Sequence, residues 1–115
     1  MKNEDQVQLV EDCLLAYQEQ DKAAAEKLIH PDFTFISPQD DRIDRAAYFK
    51  RCWPFSELKP TYQFIETTES KNGLLLLYNC ITKDGKQFRN VELFTFKDGQ
   101  ILSVEVFFGN PKFNV

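Results

Sequence analysis

The sequence predicts an α+β domain: three N-terminal helices packed on one face of a curved, mostly antiparallel sheet, with a cone-shaped cavity between the two layers. Three observations carry this expectation. Apolar residues recur at helical spacing before Pro54, alternating apolar strands fill the chain after Pro60, and the turns KNG, KDGK and KDGQ separate those strands. Helices first and hairpins last is the order of an α+β layer, whereas a parallel sheet would interleave its strands with helices. A chain of 115 residues has room for one core, so residues 1–115 are expected to form a single domain.

The elements follow in order. Asn3 can cap the first helix, with Glu4 and Asp5 favouring its positive end, and Val7, Val10, Leu14 and Tyr17 form an apolar stripe beside Cys13. Asp21 restarts a second helix, AAAEKLI, which must stop before Pro31. His30, at that helix end, reads as a C-terminal cap. DFTFIS is a short strand, and PQDDRID, polar throughout, reads as a loop. Asp44 can cap a third helix, RAAYFKRCW, ending at Pro54. The strands TYQFIETTES, LLLLYNCIT, QFRNVELFTF and ILSVEVFF complete the chain.

Composition narrows the function. Hydrophobic residues make up 43% and aromatic residues 14%, with 11 Phe. Aromatics on this scale fill a core and also line apolar pockets for small molecules. A net charge of -4, with lysines scattered over the turns, opposes a nucleic-acid surface. The longest apolar run, Leu74 to Tyr78, is too short to span a bilayer, and the charged N-terminus has no signal-peptide character. Cys13, Cys52 and Cys80 have neither disulfide nor metal-ligand spacing, which predicts free buried thiols, no metal, no organic cofactor and a cytoplasmic location.

Two glutamates raise the functional question. The stretch VELFTFKDGQILSVEVFFG is a hairpin of two apolar strands, and each strand carries one carboxylate, Glu92 and Glu105. Alternation puts Glu92 with Phe94 and Phe96 on one face, and Glu105 with Ser103 and Phe107 on one face of its own strand. A two-residue turn at Asp98-Gly99 would set Glu92 opposite Glu105, so that they share a face. A three-residue turn with a glycine bulge would set Glu92 opposite Val104 and send the glutamates to opposite faces. The turn residues suit both registers.

LIHPDFTFISP after two helices, the hairpin VELFTFKDGQI and the closing VEVFFG resemble the nuclear transport factor 2-like superfamily, nearest its SnoaL-like branch, over roughly residues 5 to 112. The resemblance implies the cone fold and activities ranging from ketosteroid isomerase, dehydratase, epoxide hydrolase and cyclase to plain binding modules. The isomerase's general-base position falls on Ser37, its oxyanion-hole tyrosine near Cys13 with Tyr17 one turn later, and its oxyanion-hole acid on or near Glu92. The resemblance also favours the register that puts Glu92 in the pocket with Phe108, with Glu105 facing a partner subunit or solvent. Asp40 and Asp41, at the pocket mouth, read as solvated loop charge.

The expected site is therefore Glu92 as a buried proton-transfer group, with Tyr17, Phe35, Ser37, Trp53, Phe94, Val106 and Phe108 contacting the ligand; the plain readings are surface or interface charge for Glu92, a core aromatic for Trp53 and a turn hydroxyl before Pro38 for Ser37. The expected role is binding of a small apolar molecule, with a cofactor-independent isomerase, dehydratase or cyclase reaction. Non-catalytic ligand binding, or a protein-interaction module, is the alternative. The sheet face turned away from the helices, rich in Leu, Val and Phe, predicts a homodimer.

Overall fold

A computed structural model describes residues 1–109; residues 110–115 of the expected domain lie outside the described residues. Helix α1 (Asn3–Glu19) buries Val10, Cys13, Leu14, Ala16 and Tyr17 along one stripe. Lys2 rather than Asn3 holds its N-cap position and supplies no side-chain cap, so the acidic residues Glu4 and Asp5 complement that end. Gln20 closes the helix in the left-handed region at φ 55°. Asp21 accepts the Ala24 N–H at 3.1 Å and starts α2 (Lys22–Leu28).

Helix α2 ends at Leu28, and the chain passes directly into strand β1 (Ile29–Ser37). His30 is thus a strand residue and not a helix cap. The carbonyls at the end of α2 find other donors: Arg45 Nη2 reaches Glu26 O at 2.7 Å, and Gln100 Nε2 reaches Lys27 O at 2.9 Å. His30 Nδ1 instead accepts the Asp32 N–H at 2.9 Å.

The expected loop PQDDRID contains a short strand, β2 (Asp40–Asp44), paired antiparallel with β1 through Phe35 and Ile43. Its polar composition reflects its place at the sheet edge, where few side chains have an apolar layer to meet. Asp44 then accepts the Ala47 N–H at 2.9 Å and caps α3 (Arg45–Cys52). The helix does not stop at Pro54 but tightens into a 3₁₀ helix, Trp53–Leu58. Pro54 falls near the start of that helix, where a missing N–H costs no hydrogen bond.

Strands β3 (Thr61–Ser70), β4 (Gly73–Ile81), β5 (Gln87–Lys97) and β6 (Gln100–Phe108) complete a six-stranded sheet of order β2-β1-β6-β5-β4-β3. All neighbours are antiparallel except β1 and β6. Register shifts between Phe64 and Glu66 and between Thr95 and Phe96 coil the sheet towards the helices, because a bulge bends its strand and increases local twist. Gly73 lets the β4 backbone approach β5 closely: a Cβ there would meet Phe94 O at 1.9 Å.

The turn between β5 and β6 decides which residues face the core. Asp98 and Gly99 both have positive φ, 53° and 76°, and Lys97 pairs with Gln100, so the turn has two residues. Phe96 pairs with Ile101 but Thr95 pairs with Ser103, which leaves Leu102 as an extra residue in β6. Beyond this bulge Glu92 stands opposite Val106, and Leu93 opposite Glu105. Neither expected register is adopted. The turn is the shorter of the two considered, yet a bulge within β6 sends the two glutamates to opposite faces.

The core lies in the concavity. Leu74, Leu76, Tyr78 and Cys80 of β4, Phe94 of β5, and Ile101, Val104 and Val106 of β6 face the helices and are buried. The other face carries Leu75, Leu77, Val91, Leu93, Glu105 and the exposed Phe107.

Candidate functional site

The helices and the curved sheet do not close on each other completely. Between them lies a cavity of about 960 Å³, within the size range of small-molecule sites. Its wall is mostly aromatic and aliphatic, with Tyr17, Phe35, Tyr48, Phe55, Tyr62 and Phe88 among the residues that form it.

Glu92 enters this wall because it shares strand parity with Phe94 and Asn90, the inward residues of β5. Part of its surface borders the cavity and protein encloses the remainder. One carboxylate oxygen, Oε2, accepts a hydrogen bond from the Tyr78 hydroxyl. Asn90 Nδ2 in turn donates to the Tyr78 oxygen at 3.3 Å, and Asn90 Oδ1 accepts the Gly109 N–H at 3.4 Å. These residues occupy adjacent strands: Tyr78 pairs with Asn90, and Glu92 lies two residues further along β5. Glu92 Oε1 has no hydrogen-bond partner among the described residues.

Burial pushes the Glu92 carboxyl up to about 7, because its charged form loses hydration, while the hydrogen bond from Tyr78 pulls the other way. Desolvation wins. The same burial raises Tyr17, Tyr48 and Tyr78 well above the usual phenol range, so all three remain neutral hydroxyls. The Tyr17 and Tyr48 hydroxyls share one hydrogen bond at 2.5 Å, which uses one of their two hydrogens and leaves the other over. Cys13 and Cys52 border the cavity too, but burial pushes their thiols up to about 12 and about 11. They are thiols rather than thiolates, hence poor nucleophiles.

At the mouth, Asp40 and Arg51 meet at 2.6 Å, and the Ser37 hydroxyl donates to the second Asp40 oxygen at 3.1 Å. Asp40 is therefore not the solvated loop charge expected of it: its side chain is only 11% exposed.

The cavity wall includes Glu92, Tyr17, Phe35, Ser37, Phe94, Val106 and Phe108 from the expected site. Trp53 does not border it. The indole packs behind Tyr17, with ring centroids 4.8 Å apart, because the 3₁₀ helix turns it away from the cavity and against α1. Ser37 borders the cavity, and its oxygen also accepts the Gln39 N–H at 3.1 Å as a turn hydroxyl does. Tyr78, Asn90 and Tyr48 escaped the sequence reading. A signal existed for the first two. Tyr78 interrupts the aliphatic inward set of β4, and Asn90 shares the parity of Glu92. Nothing local marked Tyr48, whose hydroxyl finds Tyr17 across 31 positions of chain.

Among the described residues there is no group of three or more His, Cys, Asp or Glu side chains able to hold a metal ion. No helix among them is long and apolar enough to cross a membrane.

A family model described as the SnoaL-like domain matches residues 10–104. Curated proteins yielded no match. Among solved structures, the chain is similar to an NTF2-like protein from Cytophaga hutchinsonii, at 26% identity and a TM-score of 0.72, covering 88% of this chain and 87% of that one. It is similar in fold to SalBIII, an epoxide hydrolase/cyclase-like enzyme of pyran ring formation in the polyether salinomycin, at 18% identity and a TM-score of 0.80 over 95% of each chain. A putative polyketide cyclase from Sinorhizobium meliloti shares the fold at 20% identity and a TM-score of 0.71, covering 92% of this chain and 99% of that one.

Proposed function

The chain belongs to the SnoaL-like domain family, a branch of the NTF2-like superfamily, and on that premise we propose that its cavity takes up one small, mostly apolar molecule on which Glu92 acts as the proton-transfer group. One observation carries this reading: Glu92, a carboxyl pushed up to about 7, borders an apolar cavity with one oxygen free. A group titrating near neutrality exists in both forms at working pH, so it can take a proton from a substrate and return it elsewhere. Tyr78 orients the carboxyl by binding Oε2, which leaves Oε1 to meet the substrate. The hydroxyl hydrogen left over by the Tyr17–Tyr48 pair supplies a neutral donor for a developing charge on a substrate oxygen. Such chemistry fits an isomerisation, dehydration or cyclisation and uses only the chain's own groups.

Binding without turnover is the second reading, and a specific observation favours it. The remaining carboxylate at the cavity, Asp40, is tied to Arg51 and Ser37, which leaves Glu92 without a free acid–base partner. Exposing the parent and Glu92→Gln to a panel of β-hydroxy ketones and β,γ-unsaturated cyclic ketones separates the two. Turnover in the parent with an inflection near pH 7, lost in the variant, supports catalysis. Uptake without turnover in both proteins supports a binding module.

The outer sheet face bears on assembly. Leu75, Leu77, Val91 and Leu93 are only half-buried and Phe107 is 49% exposed, an apolar face that a second copy would cover. We accordingly take the working unit to be a homodimer. The three free cysteines suit a reducing compartment, and we assign the protein to the cytoplasm on that account.

A further inference from the structure

The charged groups that border the cavity are few, and they differ in place. Glu92 is enclosed in the sheet, whereas Asp40 and Arg51 meet at the mouth. Arg51 is the single cation among the described lining residues. Asp40, held by the Ser37 hydroxyl and hardly exposed, takes the Nε of Arg51, while the Arg51 side chain remains 56% exposed. Its two Nη groups have no hydrogen-bond partner among the described residues. A guanidinium whose Nε faces Asp40 leaves its Nη groups for another partner, and their planar fork matches a carboxylate.

We propose that the cavity mouth is a subsite for an oxyanion, a carboxylate at one end of an otherwise apolar ligand, with the Arg51 Nη groups as donors. The assignment deepens the proposed function and rests on it, since it names the ligand class as an aryl or alkyl carboxylic acid. It also orients that ligand. An anion beside ionised Glu92 would be repelled, whereas at the mouth it meets the cation lining the cavity, so the apolar body enters first and the acid stays outermost. The apolar wall accommodates the body, and Glu92 then faces carbon or a neutral oxygen rather than the acid group.

A matched pair of probes tests this on the full chain: naphthalene-2-acetate and 2-(naphthalen-2-yl)ethanol, which share a body and differ in charge. Affinities are measured by calorimetry at low salt. The parent should bind the acid about tenfold more tightly than the alcohol, the advantage of a charge-assisted hydrogen bond at a half-exposed site. Arg51→Met should lose that preference while changing alcohol affinity by less than about twofold. Asp40→Asn keeps the guanidinium and removes the competing carboxylate, so acid preference should hold or rise; this variant keeps the test sharp if Arg51→Met folds poorly. Equal binding of both probes by the parent would overturn the subsite while leaving the pocket reading intact. An Arg51→Met protein that loses both probes equally would overturn it as well, showing that the ion pair merely fastens β2 to α3. If the parent binds neither probe, the pocket reading falls and the subsite falls with it.

Discussion

Glu92 and Glu105 lie on opposite faces of one hairpin, with Glu92 opposite Val106 and Glu105 opposite Leu93. A single residue makes the difference. With a two-residue turn and no bulge, the two carboxylates would be directly paired on one face. Leu102, inserted into β6 between Ile101 and Ser103, moves the partner strand by one position and keeps Glu105 out of the cavity. Two carboxylates facing each other in that apolar wall would repel and could not both ionise.

The raised Glu92 carboxyl predicts how stability depends on pH. An ordinary glutamate, near ~4.3 in the unfolded chain, ionises earlier than Glu92, which titrates at about 7 in the folded protein. Between those values the folded state holds the extra proton, so this group's contribution is full below the unfolded pKa and is lost as pH rises through about 7. Glu92→Gln removes the dependence. Urea midpoints of parent and variant should therefore diverge from pH 4.5 to 8, with the parent losing about 2–3 kcal/mol relative to Glu92→Gln across the window. Parallel profiles would mean that Glu92 is well hydrated.

Tyr78→Phe should move the Glu92 titration upward. The Tyr78 hydroxyl stabilises the ionised carboxylate, and deleting it leaves desolvation less opposed. A rise of about one pKa unit in a carboxyl carbon NMR titration is expected, with about 1 kcal/mol lost from the fold. A fall in the Glu92 pKa would show that Tyr78 is not its donor.

Gly73→Ala should be among the most damaging small substitutions. The new methyl would lie 1.9 Å from the backbone oxygen of Phe94, an atom fixed in the β4–β5 ladder that cannot swing aside. A loss of about 3 kcal/mol or more is expected in chemical denaturation. Gly85→Ala, where no atom lies within 4 Å but φ is +90°, should cost less, about 1 kcal/mol.

The outer sheet face should be self-associating. Leu93→Lys and Phe107→Glu place charge in the middle and at the end of its apolar strip without touching the cavity wall. Sedimentation at micromolar concentration should give a dimer for the parent and a monomer for the double variant, with far-UV circular dichroism unchanged. A monomeric parent would remove the homodimer from the proposal.

Much of this molecule is readable without coordinates. Helical spacing from Val7 to Tyr17, the capping aspartates Asp21 and Asp44, and the strand alternation after Pro60 are local properties. Each element forms close to where its own residues call for it. Strand alternation alone also gives Glu92 its parity with Phe94, and so its inward direction once one face is buried. Three readings failed where a distant group intervened. His30 is no helix cap because Arg45 and Gln100 satisfy that helix end. Asp40 is not solvated because Arg51 reaches it from α3. Trp53 leaves the cavity wall because α1 offers Tyr17 as a packing surface.

The sequence by itself thus determined the α+β class, the order of the elements and the presence of an acid in an apolar strand, since these follow from periodicity, capping and turn chemistry within a few residues. The tertiary structure alone decided the register past Leu102, the meeting of Tyr78, Asn90 and Glu92 across neighbouring strands, and the pairing of Tyr17 with Tyr48 and of Asp40 with Arg51. The physical reason is reach. A bulge is chosen by how the whole sheet must coil to pack on its helices, and a buried hydrogen bond or ion pair exists only where folding brings together groups far apart in the chain.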